Sequence, residues 1–296
     1  MRPPLIPFVR EMAFRYGEVD QVSPLIRRVV AHNPGPFTFH GTGTYILGRG
    51  EAAVIDPGPA DEAHLEALLR ALDGERVSAI LITHSHADHS PLAGPLAERT
   101  GATIYGLADP ATGSAEEEAH GDFRPHVSVA DGEIIAGPGW TVEALHTPGH
   151  ASNHVCYALK EEHALFSGDH IMGWSTTVVS PPDGDMGAYY ASLDKVAARD
   201  FATLWPTHGP PVTAPAPFIA AYRAHRHERE RQILAAIASG QDTIAAMVPV
   251  IYAAVDPRLH PAAARSVLAH LIHLSATGVV AAEPEPSLTA HYRILG

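Results

Sequence analysis

A single cysteine, Cys156, stands in 296 residues. That excludes an internal disulfide framework and a cysteine-based zinc finger. No apolar run approaches the roughly 20 residues that span a bilayer. Met1 to Tyr16 is broken by Arg2, Arg10, Glu11 and Arg15, so the continuous apolar stretch of a signal peptide is missing and a cytoplasmic location is the expectation. Positive charge is scarce: 20 lysines and arginines stand against 33 acidic residues, a formal net charge of −13. This argues against a general nucleic-acid-binding surface. Internal repeats and long low-complexity tracts are absent too. With 46% apolar and 18% charged residues the chain can bury a proper core, which excludes a disordered, coiled-coil or collagen-like protein. Its length suits about two domains. The excess is in histidine, 20 residues, the commonest metal ligand and an acid–base group near neutral pH.

Met1 to Pro24 reads as mixed sequence packed on the residues after it. Short apolar runs between turn residues then predict strands at Thr44–Leu47 and Ala52–Ile55, the second ending in Asp56-Pro57-Gly58-Pro59. Asp61 caps a predicted helix to Leu72, with Leu65, Leu68, Leu69 and Leu72 on one face. A buried strand at Val77–Ile82 empties into Thr83-His84-Ser85-His86-Ala87-Asp88-His89. Ser90-Pro91 reads as the cap and first position of a helix to about Glu98. Further strands are predicted at Ala102–Tyr105, Thr141–Leu145, Val155–Leu159, Ala164–Phe166 and Phe201–Trp205, with a loop from Glu116 to His126 and a helix at Gly187–Ala198. Strands alternating with helices, with polar residues at the strand ends, point to an α/β layered fold.

Four prolines within eight positions, Pro210 to Pro217, mark a domain boundary, giving units of 1–215 and 216–296. Helices come next at Phe218–Ser239, Thr243–Tyr252 and Pro261–Ala276, then strands near Gly278–Val280 and His291–Leu295. Three helices with a two-stranded wing resemble a winged-helix module. From Ala216 onward seven arginines stand against six acidic residues, so the negative charge lies in the first unit.

The segment His84 to His89 offers four ligand-type side chains in six positions, and His150, Asp169 and His208 also sit at strand ends. Strand ends of an α/β sheet converge on one edge, where ligand crevices form. Five histidines and two carboxylates suit two divalent metals, with one carboxylate able to bridge. Thr83-His84-Ser85-His86-Ala87-Asp88-His89 is similar to the signature of the metallo-β-lactamase fold superfamily. The order of Asp56 in Ile-Asp-Pro-Gly, His150 in Thr-Pro-Gly-His, Asp169 in Ser-Gly-Asp, and His208 matches it as well. The resemblance covers about residues 20 to 213 and implies an αββα sandwich with metals at one edge between two sheets. It assigns His84, His86 and His150 to a first metal and Asp88, His89 and His208 to a second. Asp169 would bridge, and Asp56 would orient the histidine loop from behind.

His40, His64, His120, His126, His163, His225, His227 and His273 read as surface or packed residues, and His146, His154 and His170 as supports near the site. Cys156, in an apolar strand, reads as an inert core residue. The expected cofactors are two zinc ions, with iron or manganese as alternatives. A water shared by two such ions has its pKa lowered to about 7, and Asp88 is the expected catalytic residue, holding that nucleophile and moving its proton. The expected reaction is hydrolysis of a small ester, thioester or lactone.

Asp169 resembles the bridging carboxylate of glyoxalase II and its relatives, where zinc β-lactamases carry cysteine or serine, so β-lactam hydrolysis is expected only as a side activity. The lysine- and glycine-rich glutathione-binding segment of glyoxalase II is replaced by His170-Ile-Met-Gly-Trp174-Ser-Thr-Thr. With the C-terminal winged helix, the chain resembles the lactamase-beta-2-like group, whose animal members are endoribonucleases. A ribonuclease or phosphodiesterase holding RNA is therefore the alternative. Arg223, Arg226, Arg229 and Arg231 form the basic stripe it would use, interleaved with Glu228 and Glu230. A DNA-binding regulator that senses metal is a third reading. An iron persulfide dioxygenase shares His-x-His-x-Asp-His, and the diiron oxygen-reducing branch usually has glutamate where His86 stands. No membrane partner is expected. Nucleic acid is not the favoured partner: the stripe reads as a solvated, salt-bridged helix face, and the winged helix is expected to cover the site's rim or form a homodimer contact.

Overall fold

Strands whose two faces are both apolar must be covered on both sides, and the central strands here are of that kind. The computed structural model describes residues 5–109 and 123–295. A seven-stranded sheet runs in order β1 (Val19–Gln21), β2 (Ile26–Val30), β3 (Gly43–Arg49), β4 (Glu51–Ile55), β5 (Arg76–Leu81), β6 (Thr103–Gly106) and β7 (Val127–Ser128), with α1 (Glu62–Ala71) and α2 (Ala93–Thr100) connecting its later strands. A five-stranded sheet holds β8 (Ile134–Gly137), β9 (Trp140–His146), β10 (Val155–Leu159), β11 (Ala164–Gly168) and β12 (Thr203–Pro206), ordered from β12 to β8 against the chain direction. The helix α3 (Met186–Ala197) links β11 to β12, which are parallel.

Side-chain alternation sorts these strands into three cores. Tyr45 and Leu47, Ala53 and Ile55, and Ala79 and Leu81 face Val155, Tyr157, Leu159 and Phe166 between the two sheets. The alternate residues Ile46, Val54 and Ile80 meet Leu65 and Leu68 of α1 and Leu96 of α2. On the far side, Cys156, Ala158 and Leu165 meet Tyr189 and Leu193 of α3. The result is the expected αββα sandwich.

The helix α4 (Pro215–Ala238) begins within the proline-rich segment. Its Phe218, Ile219 and Tyr222 join the core under the second sheet, while Ile233, Ala236 and Ile237 join the next core along. That core is completed by α5 (Ile244–Ile251), α6 (His260–Ala276) and the hairpin β13 (Val280–Glu283) with β14 (His291–Ile294), a winged helix. Among the described residues no helix is long and apolar enough to cross a membrane.

Several expectations need correction. Met1 to Pro24 is not merely packed sequence, because β1 within it extends the first sheet; β2, just after it, was not predicted, and every one of its residues is buried. The chain also forms β8, which short apolar patterning did not predict. Asp61 does cap α1, accepting from the Ala63 amide at 2.9 Å. Ser90 caps nothing: α2 starts at Ala93, and the Ser90 hydroxyl instead donates 2.8 Å back to the Ser85 carbonyl, pinning the histidine loop. Residues 116–122 of the expected loop, His120 among them, lie outside the described residues.

Cys156 is fully buried on β10 and accepts from Thr147 Oγ1 at 3.2 Å. Burial pushes its thiol up to about 12. Since the thiolate is the reactive form, native protein at pH 8 is expected to resist thiol reagents and to label only after denaturation. Rapid stoichiometric labelling of the native chain would contradict this placement.

Candidate metal centre

The C-terminal ends of β4, β5, β9, β11 and β12 lie along one edge of the sandwich and deliver Asp56, His84, His150, Asp169 and His208 in turn. The two sheets are tied there: Val155 N donates to Thr83 O at 2.7 Å, Tyr157 Oη to Ile82 O at 2.9 Å and Tyr45 Oη to Pro206 O at 2.6 Å. Two glycines make close approach possible. Gly149, before His150, has φ +140°, and a Cβ there would stand 2.4 Å from Tyr189 Cα. Gly168, before Asp169, has φ +51°, and a Cβ would stand 2.6 Å from His154 Nε2. Side chains rarely adopt either backbone conformation.

The structure brings all seven candidate ligands together, in three groups with ligand atoms mutually within 4.8 Å: His84, His86 and His150; His84, His89 and Asp169; and Asp88, His89 and His208. His86 Nδ1 lies 2.9 Å from His84 Nε2 and 3.1 Å from His150 Nε2. His208 Nε2 lies 3.0 Å from Asp88 Oδ2, and His89 Nε2 lies 3.6 Å from the same oxygen. Asp169 faces both ways, with Oδ1 3.7 Å from His89 Nε2 and 3.5 Å from His208 Nε2, and Oδ2 3.6 Å from His150 Nε2. Ligand bonds of 2.0–2.2 Å in a tetrahedron put ligand atoms about 3.3–3.6 Å apart, so this spacing fits a zinc-sized cation. His89 Nε2, His208 Nε2 and Asp169 Oδ1 are buried and make no aligned hydrogen bond. Buried polar atoms are usually hydrogen-bonded; here both ring nitrogens instead face the same Asp169 oxygen at 3.5–3.7 Å.

The far nitrogens of the rings are anchored. His89 Nδ1 donates to Asp56 Oδ2 at 2.9 Å, His150 Nδ1 to Val178 O at 2.6 Å, and His208 Nδ1 to Gly41 O at 3.2 Å. His84 Nδ1 lies 3.0 Å from Thr83 Oγ1, whose hydroxyl donates to Asp56 Oδ2 at 2.8 Å. Each anchor fixes a tautomer that turns Nε2 toward the cluster. Asp56 has no exposure, has φ +48°, and accepts from Thr83 N, Thr83 Oγ1, Thr207 Oγ1 and His89 Nδ1. It stands behind the histidine loop, where the sequence resemblance put it.

Burial, reinforced by neighbouring imidazoles, holds His84 well below its ordinary range and takes His86 down to about 3. Both rings are therefore neutral, the form that ligates metal. Burial also opposes charge on His89 and His208, but Asp88 and Asp169 outweigh it and raise both. The two carboxylates are lowered in turn, against desolvation, by those imidazoles.

Of the three nearby histidines, His154 is buried; it accepts from the Asp169 amide at 3.2 Å and bonds Thr147 Oγ1 at 2.9 Å. His170 is buried, with neither ring nitrogen making an aligned hydrogen bond, and His146 Nε2 donates to Val129 O at 3.0 Å. None of them belongs to the three groups. Sequence reasoning missed the supporting residues Thr42, whose hydroxyl donates to Asp88 O at 2.9 Å, and Thr207. Thr207 carried a signal, a small hydroxyl directly before a candidate ligand; Thr42 carried none. Arg226, expected on an exposed stripe, is buried.

Residues 38–208 match the metallo-beta-lactamase superfamily, and residues 243–287 the beta-lactamase associated winged helix domain. An atrochrysone carboxyl ACP thioesterase of Pseudocercospora fijiensis is 33% identical over 223 residues, covering 74% of this chain and 63% of that protein. The match thus spans less than two thirds of the fungal relative. A beta-lactamase-like protein 2 homolog of Caenorhabditis elegans is 34% identical over 220 residues, covering 73% of this chain and 72% of that one. In fold, a beta-lactamase domain protein from Burkholderia ambifaria superposes with a TM-score of 0.80 over 96% of both chains, at 22% identity. Architecture, histidine-rich edge and matched segments agree: the chain belongs to the metallo-beta-lactamase superfamily and carries the winged-helix domain associated with it.

Proposed function

We propose that this hydrolase cleaves a thioester between an apolar acyl group and a thiol carrier, with two divalent cations, zinc by the character of its donors. The observation that carries the metal reading is the convergence of seven buried or half-buried imidazole and carboxylate side chains from separate strand ends, with ligand atoms within 4.8 Å of one another in each group. His84, His86 and His150 would hold one cation and Asp88, His89 and His208 the other, with Asp169 placed between the two groups. When bound, the cations supply Lewis-acid polarisation of the carbonyl and a water of lowered pKa.

Asp88 has 27% of its side chain exposed, against 11% for Asp169 and 10% for His150. It therefore sits where substrate enters. It takes the proton of the attacking water on a carboxylate oxygen and passes it to the departing sulfur, leaving acid and free thiol. The acyl preference rests on rings beside His208. Trp174 packs on Gly209 and stacks on Phe39 at 4.8 Å and 18°. The thioester rests on the fungal relative's name. The arginines of α4 favour this reading over RNA: Arg223 pairs with Asp194 at 2.6 Å, Arg231 pairs with Glu228, and Arg229 lies 4.0 Å over the Tyr252 ring.

The test is a panel of acyl thioesters, esters, lactones, a β-lactam and single-stranded RNA, offered to the zinc-loaded full chain. Thioesters with aromatic or long apolar acyl groups are expected to release thiol faster than acetyl thioesters. Chelation is expected to stop turnover and zinc to restore it. Absence of thiol release from every thioester would sink the proposal.

A further inference from the structure

We propose that Arg226 of α4 is a positioning residue for the metal centre, acting through the loop of residues 172–183. This rests on the ligand set just proposed. Arg226 is 3% exposed, yet its partners among the described residues are neutral: the Thr177 carbonyl, to which Nη2 donates, and the face of the Tyr189 ring at 5.1 Å. Its Nε is buried without a hydrogen-bond partner. A buried charge with incomplete compensation is a poor device for stability, and an apolar side chain of similar size would serve as well or better. What the guanidinium supplies is placement, through a charge-assisted bond to one carbonyl.

That carbonyl belongs to the residue best situated to transmit it. Thr177 Oγ1 donates to Asp169 O at 2.8 Å, with His170 O also within reach at 3.0 Å. The next carbonyl, Val178 O, accepts the His150 Nδ1 proton at 2.6 Å. Two successive loop residues thus hold His150, a candidate ligand of the first cation, and Asp169, the candidate bridge. One helical turn before Arg226, Tyr222 Oη donates to Met172 O at 2.8 Å, also bonds Ser175 O, and accepts from Met172 N at 3.2 Å. Positions four apart on a helix share a face, so α4 grips the loop near its start and its middle. Below the guanidinium, Tyr189 Oη donates to His170 O at 2.8 Å. The helix that opens the winged-helix region is therefore part of the support of the site.

The experiment titrates the metal-free full chain with Co2+ against a chelator, following the visible absorption of bound cobalt. Arg226→Met is compared with Arg226→Lys and with Arg223→Met, an exposed position on the same helix. Far-ultraviolet circular dichroism and melting temperature report the fold. Arg226→Met is expected to bind one cobalt about 10- to 100-fold more weakly, as for loss of other outer supports, with an altered cobalt spectrum and an intact fold. Arg226→Lys should recover part of the affinity, and Arg223→Met should match the wild type. Wild-type affinity in folded Arg226→Met, or equal weakening in Arg223→Met, would overturn the proposal. If Arg226→Met does not fold, Thr177→Val decides: weakened cobalt binding supports the route through the loop, and unchanged binding rejects it. A wild-type chain that binds no cobalt would remove the metal reading itself, and this inference with it.

Discussion

Replacing Asp88 by asparagine should lower kcat by about 10²- to 10⁴-fold, the range of a positioned proton-transfer group, with little change in melting temperature. Near the middle of that range, about 10³-fold, the loss corresponds to about 4 kcal/mol of transition-state stabilisation. Asparagine keeps the shape and an oxygen to face His208 Nε2, now 3.0 Å from Asp88 Oδ2, but it cannot carry a proton away from water. Stability should barely move, because the side chain is partly open and its main chain is held independently by the Thr42 hydroxyl. Asp88→Ala should be at least as inactive and should also load the second cation less well, a carboxylate being lost from that group. Kinetics with metal content measured on the same samples separate the two effects. If fully loaded Asp88→Asn stayed within tenfold of the wild type, the proton-transfer role would be wrong.

Asp56→Ala is expected to be the most damaging single change to stability, although its carboxylate belongs to none of the three metal-sized groups. Its removal strands four donors at once in a site without solvent: Thr83 N, Thr83 Oγ1, Thr207 Oγ1 and His89 Nδ1. Breaking a buried charged network on one side costs about 3–5 kcal/mol, and for a chain of this size the melting temperature should fall by about 10 °C or more. The positive φ at position 56 adds strain that the Thr44 Oγ1 to Asp56 O bond at 2.7 Å now offsets. Metal affinity should fall too, because the anchors of His84 and His89 both end on Asp56. Asp56→Asn, which keeps an acceptor, should be milder in both respects. A melting temperature within about 2 °C of the wild type for Asp56→Ala would refute this account.

How far the sequence could be read depends on where the information sits. The ligand-type residues lie in short motifs directly after apolar strands, and a strand that ends at a sheet edge leaves its next residues there. The α/β layering could be read from apolar strands alternating with helices, while the sandwich arrangement came from the family resemblance. Strand β2 hid because its middle is Arg27-Arg28, a pair that reads as surface. In the fold both side chains are buried, and their charges are met by Glu75 at 2.7 Å and Asp20 at 3.2 Å. Ser90 misled because a serine before proline has the composition of a helix cap, and only the tertiary path gave its hydroxyl the Ser85 carbonyl instead.

The helix α4 marks the sharpest division. Alternating arginine and glutamate along its middle shows a helix and shows no preferred face. Which arginine turned inward was decided by the loop it meets and the Tyr189 ring beneath it, neither adjacent in sequence. Local patterning marked the candidate ligand side chains and set them directly after strands, because side-chain alternation and strand-end turns are short-range features. Ring orientation, and the distant residues that hold each ring, followed from long-range packing. Those hydrogen bonds form between segments that only the packing of the two sheets and α4 brings together.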